Sequence, residues 1–492
     1  MVPRSPGGRL NRPSDTPDPT SPGPATPAGP HGGRSGDPAH AAPEGAPPPT
    51  TRPADRTGVD RQILALAVPA LGALVAEPLF VLVDSAMVGH LGTDALAGLA
   101  LASTVLVTVV GLCVFLAYAT TAAVARRLGA GDRRGALQTG VDGMWLGAGL
   151  GLVLAGAAWL AAPWLVSVLG ADGAVATQAV SYLRWSTPGL PGMLLVLAAT
   201  GALRGLQDTR TPLVVAASGA VANAALNAVL IYGAGLGIAG SGLGTALAQL
   251  GMAVWLVVVV VRGARAAGAS LAPAAGGVWA NARAGLPLLV RTATLRLAIL
   301  LTVWTATGLG PSALAGHQVV NAVWGLAAFA LDALAIAAQA LVGHALGARD
   351  VTRTRAVLRR TLQWGVGAGA VLGLVLGGLA PFYVRLFSPD ADVQRAAVTG
   401  LLVAAVALPM AGWVFVLDGV LIGAGDGPFL AWAGVATLVA YVPAALAVHT
   451  WAPPGAAGLA WLWVAFAGVF MAARAVTTGL RARNDAWMVV GV

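Results

Sequence analysis

Residues 128–132 read Leu128-Gly129-Ala130-Gly131-Asp132, and 218 residues further on residues 346–350 read Leu346-Gly347-Ala348-Arg349-Asp350. The same interval separates Ala95-Leu96-Ala97-Gly98 from Ala313-Leu314-Ala315-Gly316, Pro69 from Pro287, Asp208 from Asp426 and Gly240 from Gly458. One register held at so many places is hard to obtain by chance, even in a chain rich in Ala and Gly. It marks an internal duplication: two units of the same topology, one after the other.

The composition says where those units live. Hydrophobic residues make up 57% of the chain and charged residues 10%, with a mean hydropathy of +0.77. A soluble domain carries about 25% charged residues, so this chain has too little polar surface for water and belongs in a bilayer. The formal net charge is +9, and with no Lys present all 29 basic residues are Arg. They occur in short groups between long apolar runs, as in the cytoplasmic loops of membrane proteins. Nucleic-acid binding would need a continuous basic face, and there is none. The single cysteine, Cys113, excludes an intrachain disulfide. Residues 1–57 are rich in Pro, Gly, Ser, Thr and Arg and read as a disordered cytoplasmic tail without the apolar core of a cleaved signal.

A helix needs about 20 apolar residues to cross a bilayer. The runs are long and continuous rather than short and alternating, so helices and not barrel strands are expected. Twelve are predicted, near 62–89, 94–126, 138–162, 175–203, 212–233, 240–261, 284–307, 312–346, 358–380, 395–424, 428–449 and 458–478. The expected fold is an all-α polytopic membrane protein of two tandem six-helix bundles. Its expected domains are a first lobe over 58–262, a linker over 263–283, a second lobe over 284–480 and a short tail over 481–492. Arg126, Arg127, Arg133, Arg134, Arg204, Arg210, Arg262, Arg265, Arg283, Arg349, Arg353, Arg355, Arg359, Arg360, Arg481 and Arg483 fall in alternate connections or at the C-terminus. Both termini are therefore expected in the cytoplasm. Two parallel-repeat lobes that rock about a shared cavity make an alternating-access carrier.

At Glu77-Pro78-Leu79-Phe80-Val81-Leu82-Val83-Asp84-Ser85-Ala86-Met87-Val88-Gly89-His90-Leu91-Gly92 the chain resembles the multidrug and toxic compound extrusion (MATE) family, in particular its DinF-like branch. Supporting matches are Ala315-Gly316-His317-Gln318-Val319, the stretch 330–342 running on to Leu346-Gly347, Val416–Gly423, and Asn223 with Asn227. The likeness spans about 60–480. It implies paired bundles in a bacterial plasma membrane that export amphipathic, often cationic, small molecules against protons or sodium ions. No other cofactor, nucleic acid or protein partner is implied; the expected contacts are the substrate and membrane lipid, and the expected state is a monomer.

Glu77 and Asp84 are seven residues apart, so they share a helix face about 10 Å apart along the axis. A carboxylate at that depth is costly to keep ionised, and binding a proton or cation relieves the cost, which ties an ion gradient to conformation. A static hydrogen-bonded role is the other reading, and beside Pro78 the glutamate could serve only a kink. The repeat mates are Thr302 for Asp84 and Leu295 for Glu77, so only the first lobe keeps acids there. Asn223 and Asn227 lie four apart on one face, and the resemblance pairs them with Asp84; interhelical packing is the alternative. Where related transporters often carry a second acid this chain has Asn227, which favours protons over sodium. Arg184 could pair with Asp84 instead. In the second lobe, depth counted from the helix ends matches Arg296 with Asp332 and Arg291 with Asp418 as buried structural ion pairs. His317 with Gln318 could bind substrate or titrate, or simply be hydrogen-bonded locally, and Phe80, Met87, Tyr118, Trp145, Met193 and Trp324 could line an adaptable drug cavity, although helix packing or the interfacial belt accounts for most residues of this kind.

Competing functions are a lipid-linked saccharide flippase of the same architecture and an integral membrane enzyme. A flippase should line its cavity with several basic residues, whereas the first lobe shows acids. An enzyme should carry a site motif; neither His-Glu-x-x-His nor Gly-x-Ser-x-Gly occurs,.

Overall fold

The computed structural model describes residues 56–491, so all but the last two residues of the expected N-terminal tail lie outside the described residues, and those two begin the first helix. Twelve helices are long and apolar enough to cross a membrane: α1 (Thr57–Gly89), α2 (Thr93–Gly129), α3 (Arg133–Val168), α4 (Gly173–Gly205), α5 (Arg210–Gly233), α6 (Gly237–Ala266), α7 (Ala275–Gly308), α8 (Pro311–Gly347), α9 (Val351–Gly378), α10 (Ala391–Gly423), α11 (Gly427–Trp451) and α12 (Ala456–Arg483). The described residues contain no strand.

The duplicated motif proves to be a helix–turn–helix corner. Each first helix ends at Gly129 or Gly347, and the chain turns through a left-handed residue, Gly131 (φ 81°) or Arg349 (φ 57°). Asp132 and Asp350 then cap α3 and α9 by accepting from the Gly135 and Arg353 amides. An N-cap carboxylate satisfies amides that the first helical turn leaves unpaired, which explains why both copies of the motif close on Asp.

The repeat extends to individual atoms. In the first lobe a Cβ on Gly201 would lie 2.5 Å from the Ala117 carbonyl oxygen; in the second, a Cβ on the mate Gly419 would lie 2.2 Å from the carbonyl of Ala335, the mate of Ala117. Only glycine lets α4 meet α2, and α10 meet α8, at that distance. A further pair joins the lobes. Gly129 sits on the His344 carbonyl and Gly347 on the Arg126 carbonyl, each hypothetical Cβ falling 1.9 Å from oxygen. Because 126 and 344 are also repeat mates, α2 and α8 meet through a locally two-fold contact with backbone on both sides.

That contact lies at the end of the molecule carrying the Arg-rich connections, and the bonds between lobes gather there. Asp60 of α1 accepts from Arg360 Nε (2.5 Å), Arg360 Nη2 (2.6 Å) and Trp364 Nε1 (2.9 Å) of α9. Arg353 donates to Gln62 at 3.1 Å. Arg126 donates to the Ala424 carbonyl (2.7 Å) and to two carbonyls of the C-terminal segment, Val489 (2.6 Å) and Gly491 (2.8 Å). That segment is pinned by buried Trp487 and by the Gly491 amide on Leu346. Among the described residues no hydrogen bond or ion pair joins the lobes in the opposite half.

Candidate functional site

The Asp84 side chain comes from the last turns of α1 and is only 3% exposed. Its Oδ1 accepts from Asn227 Nδ2 of α5 at 2.7 Å and from Ser241 Oγ of α6 at 2.5 Å. Its Oδ2 accepts from the Tyr182 hydroxyl of α4 at 3.3 Å. Behind these donors Asn227 also donates to Asn223 Oδ1 (3.3 Å), Asn223 donates to Thr245 Oγ1 (3.5 Å), and Thr245 lies 3.4 Å from the Tyr182 hydroxyl. One carboxylate from α1 thus sits inside a ring of neutral groups drawn from three other helices.

Local chain features set this geometry. Asn223 and Asn227 share a face of α5 because they are one turn apart. Immediately after Asn227 the helix widens into a π-helical turn over Ala228–Gly233, a form concentrated at functional sites. Ser241 and Thr245 stand one turn apart on α6, and between them Gly244 leaves room for the Asn227 amide: a Cβ there would lie 2.2 Å from Asn227 Oδ1. Asn227 Oδ1 has no hydrogen-bond partner although it is buried.

Beside this network lies a cavity of about 260 Å³. Tyr182 and Thr245 belong to both: they bond within the network and face the cavity. The wall is otherwise mostly apolar, with Phe80, Met193 and Met252, and its charged side chains are Glu77, Arg204 and Asp332. Of the residues that could line a drug cavity, Phe80, Tyr118 and Met193 do so, whereas Met87, Trp145 and Trp324 do not. Glu77 is exposed to this space and makes no hydrogen bond or ion pair with a described residue. It is therefore separate from the Asp84 network, seven residues away on the same helix. Pro78 lies between them and has no amide to offer the Leu74 carbonyl, which interrupts the helix ladder.

Arg204 was expected in a connection but is inside, 9% exposed, on the cavity wall with Tyr118 and Asp332. Packing of α4 on α2 accounts for this: Gly201 lies against Ala117, twelve residues before the end of α2, so α4 ends well within the bundle. Arg184, by contrast, is exposed and forms no ion pair with Asp84 among the described residues; Tyr182, two residues earlier, points inward instead.

In the second lobe Arg291 donates to Asp418 Oδ2 at 2.5 Å, and Arg474 of α12 contacts the same oxygen. The Arg296–Asp332 pair is not formed. Arg296 is exposed and lies against Gly111 of the first lobe, and Asp332 makes no hydrogen bond or ion pair with a described residue; it faces Arg204 and the cavity. Five residues of helix turn the side chain by about 140°, so Arg291 and Arg296 cannot both reach the lobe interior, and matching by depth alone ignored that rotation. His317 is buried against Trp463, with ring centroids 5.8 Å apart, and is not on the cavity wall.

The repeat mates of the Asp84 network show what the second lobe did with the same place. Asp84, Tyr182, Asn223, Asn227, Ser241 and Thr245 correspond to Thr302, Gly400, Tyr441, Ala445, Leu459 and Trp463. Thr302 and Tyr441 share a 2.7 Å hydrogen bond. Trp463 fills the space that Gly400 vacates, its ring 3.3 Å from a hypothetical Gly400 Cβ. It packs on Phe466, which also meets Tyr441. The polar chamber of one lobe is an aromatic plug in the other.

Tyr182, Ser241, Thr245 and Arg474 were not singled out from sequence, and Arg204 was read only as part of a connection. The only early signal was the one-turn spacing of Ser241 and Thr245 in a glycine-rich stretch.

The MatE family profile matches residues 69–229 and 287–446, one block in each lobe. The chain is 32% identical over 453 residues to Protein DETOXIFICATION 44, chloroplastic, of Arabidopsis thaliana, covering 88% of this chain and 84% of that protein. It is 28% identical over 377 residues to DNA damage-inducible protein F of Escherichia coli (strain K12), covering 75% and 81%. Its fold superposes on a crystal structure of the Vibrio cholerae MATE transporter VcmN in the bent form with a TM-score of 0.79 and 22% identity, over 88% and 99% of the two chains.

Proposed function

The chain belongs to the MATE family of multidrug and toxic-compound efflux transporters, and we propose that it exchanges protons for amphipathic cations, with Asp84 carrying the proton. The observation that carries this reading is the shared wall: Tyr182 and Thr245 bond around Asp84 on one side and face the cavity on the other. A change in the protonation of Asp84 must rearrange these two side chains, and a substrate in the cavity must touch them.

The atoms suggest how the proton is held. Asp84 Oδ1 already has two close donors, one of them the Asn227 amide nitrogen, which can only donate,. Oδ2 has the single, longer contact to Tyr182. A proton on Oδ2 would be accepted by the Tyr182 oxygen, whose own hydrogen then turns to Thr245. Asn223 and Asn227 hold the ring of donors in register. Protons are favoured over sodium by charge: Asp84 is the one carboxylate of the network, and Asn227 stands beside it as a neutral amide rather than as a second acid. The cavity also favours cations over the pyrophosphate of a lipid-linked saccharide, since Arg204 is its one basic residue against Glu77 and Asp332.

With the Arg-rich end in the cytoplasm, the lobes are closed on the inside, both described ends of the chain face inward, and the membrane is the plasma membrane. Each chain holds a whole cavity and a whole acid network, which supports a monomer as the working unit. Arg291, Asp418 and Arg474 act as a structural cluster.

The test is dye export from proteoliposomes under an imposed pH or sodium gradient, for wild type and Asp84→Asn. A pH gradient alone should drive wild-type transport, and the inserted, folded variant should lose it. Transport driven only by sodium would replace the ion; normal transport by Asp84→Asn would end the mechanism.

A further inference from the structure

Glu77 is an ionisable side chain at mid-membrane depth that faces a cavity and has no partner among the described residues. The other two charges on the wall, Arg204 and Asp332, are of opposite sign and lie close enough to act on each other. Glu77 is therefore the one ionisable side chain on the wall without a partner of opposite sign, and an incoming cation would supply the charge that stabilises its ionised form,. One helical turn further along, Phe80 presents a ring to the same space, with Met193 and Met252 in the same wall. Carboxylate, aromatic face and polarisable thioethers together suit the head of a bulky organic cation. Asp84 cannot serve that purpose, because its oxygens are occupied by three donors and it is closed off behind Tyr182 and Thr245.

We propose that the two acids of α1 divide the work: Glu77 is the substrate-binding counter-charge that gives this transporter its preference for monovalent organic cations, and Asp84 alone handles the coupling ion. The inference rests on the amphipathic-cation reading and adds the residue that enforces it. A cation bound at Glu77 lies against the same wall as Tyr182 and Thr245. Occupancy of the cavity and protonation of Asp84 then compete through neighbouring side chains rather than through one shared carboxylate.

Two dyes with a common xanthene core separate the possibilities: rhodamine 6G, a cation, and rhodamine B, a zwitterion at neutral pH. Binding of each to the purified full chain is measured by fluorescence polarisation, and transport is measured in proteoliposomes. Glu77→Gln should weaken rhodamine 6G binding at least tenfold and change rhodamine B by less than twofold, with Glu77→Asp restoring most of the cation affinity. Asp84→Asn, which mimics the protonated acid, should still bind rhodamine 6G but with an affinity that no longer changes with pH, while losing transport driven by the pH gradient. Equal weakening of both dyes in Glu77→Gln, or no weakening, overturns the assignment of Glu77 and leaves the antiport reading intact. Failure of wild type to bind or move either dye overturns the antiport reading and the assignment with it. A readout on wild type covers the case in which Glu77→Gln does not fold: dicyclohexylcarbodiimide should label Glu77, detected by mass spectrometry, and rhodamine 6G should block the labelling. Labelling that the dye does not reduce overturns the proposal.

Discussion

The contact of Gly129 and Gly347 allows a direct test of alternating access. A methyl group on residue 129 would lie 1.9 Å from the His344 carbonyl oxygen, whereas carbon and oxygen need about 3.2 Å, so α2 and α8 must part by more than 1 Å. The opposing atom is main chain, so no rotamer change can absorb the overlap. Overpacking of this kind costs about 1–3 kcal/mol, and the cost falls only on the state in which the two helices touch. An equilibrium biased by that amount shifts about 5- to 150-fold. Gly129→Ala should therefore populate the form open at the Arg-rich end. Spin labels at the exposed positions Arg134 and Thr352, in a Cys113→Ala background, report it by electron–electron double resonance. Wild type should show mainly the shorter separation and Gly129→Ala a large longer component, with Gly347→Ala giving the same result from the mate position. Identical distance distributions in all three proteins would refute the idea that this contact is what closes that end.

Ending the chain after Arg483 removes the Val489 and Gly491 carbonyls from Arg126 and should shift the same distance distribution in the same direction, though less; no shift would mean that the C-terminal segment merely rests there. Asp418→Asn leaves two buried guanidiniums on one uncharged side chain. Their centres, on the order of 6 Å apart, repel by about 3 kcal/mol at an effective dielectric of ~20, and breaking a buried pair costs about 3–5 kcal/mol. The thermal midpoint in detergent should fall clearly and recover in part in Asp418→Asn/Arg474→Met, and an unchanged midpoint in the single variant would remove the cluster from the structural account. Asn227→Asp sets a second carboxylate against Asp84, and two acids in contact cannot both ionise without a cation between them. That variant should gain dye export driven by a sodium gradient alone, and a lack of sodium response would show that the amide does not set the ion.

The architecture was legible because its cause is spread over hundreds of residues: apolar runs long enough to cross a bilayer, and a repeat whose motifs close on capping aspartates. Asp84, Asn223 and Asn227 were legible for the opposite reason, as polar side chains stranded in apolar helices. Tyr182, Ser241 and Thr245 were not, since a tyrosine near a helix entrance and small hydroxyls among glycines carry no mark of their partners. The failures share one physical root. Arg204 was placed by distance along the chain and Arg296 by depth, but burial depends on where a helix ends relative to its neighbours and on which way it is rotated. Both are properties of packing, which a single helix read alone does not contain.

The aromatic plug has an energetic consequence. Because Thr302, Ala445 and Trp463 stand where the first lobe keeps its acid, asparagine and threonine, the second lobe offers no counterpart to Asp84, and the antiport cycle proposed above would carry one proton. Exchange of one proton for one monovalent cation moves no net charge, so the membrane voltage contributes nothing to it. On that proposal all the work would come from the pH difference, about 1.4 kcal/mol for each unit, and the steepest gradient of exported compound would be tenfold per pH unit. A cell using it would clear its toxins best in acidic surroundings.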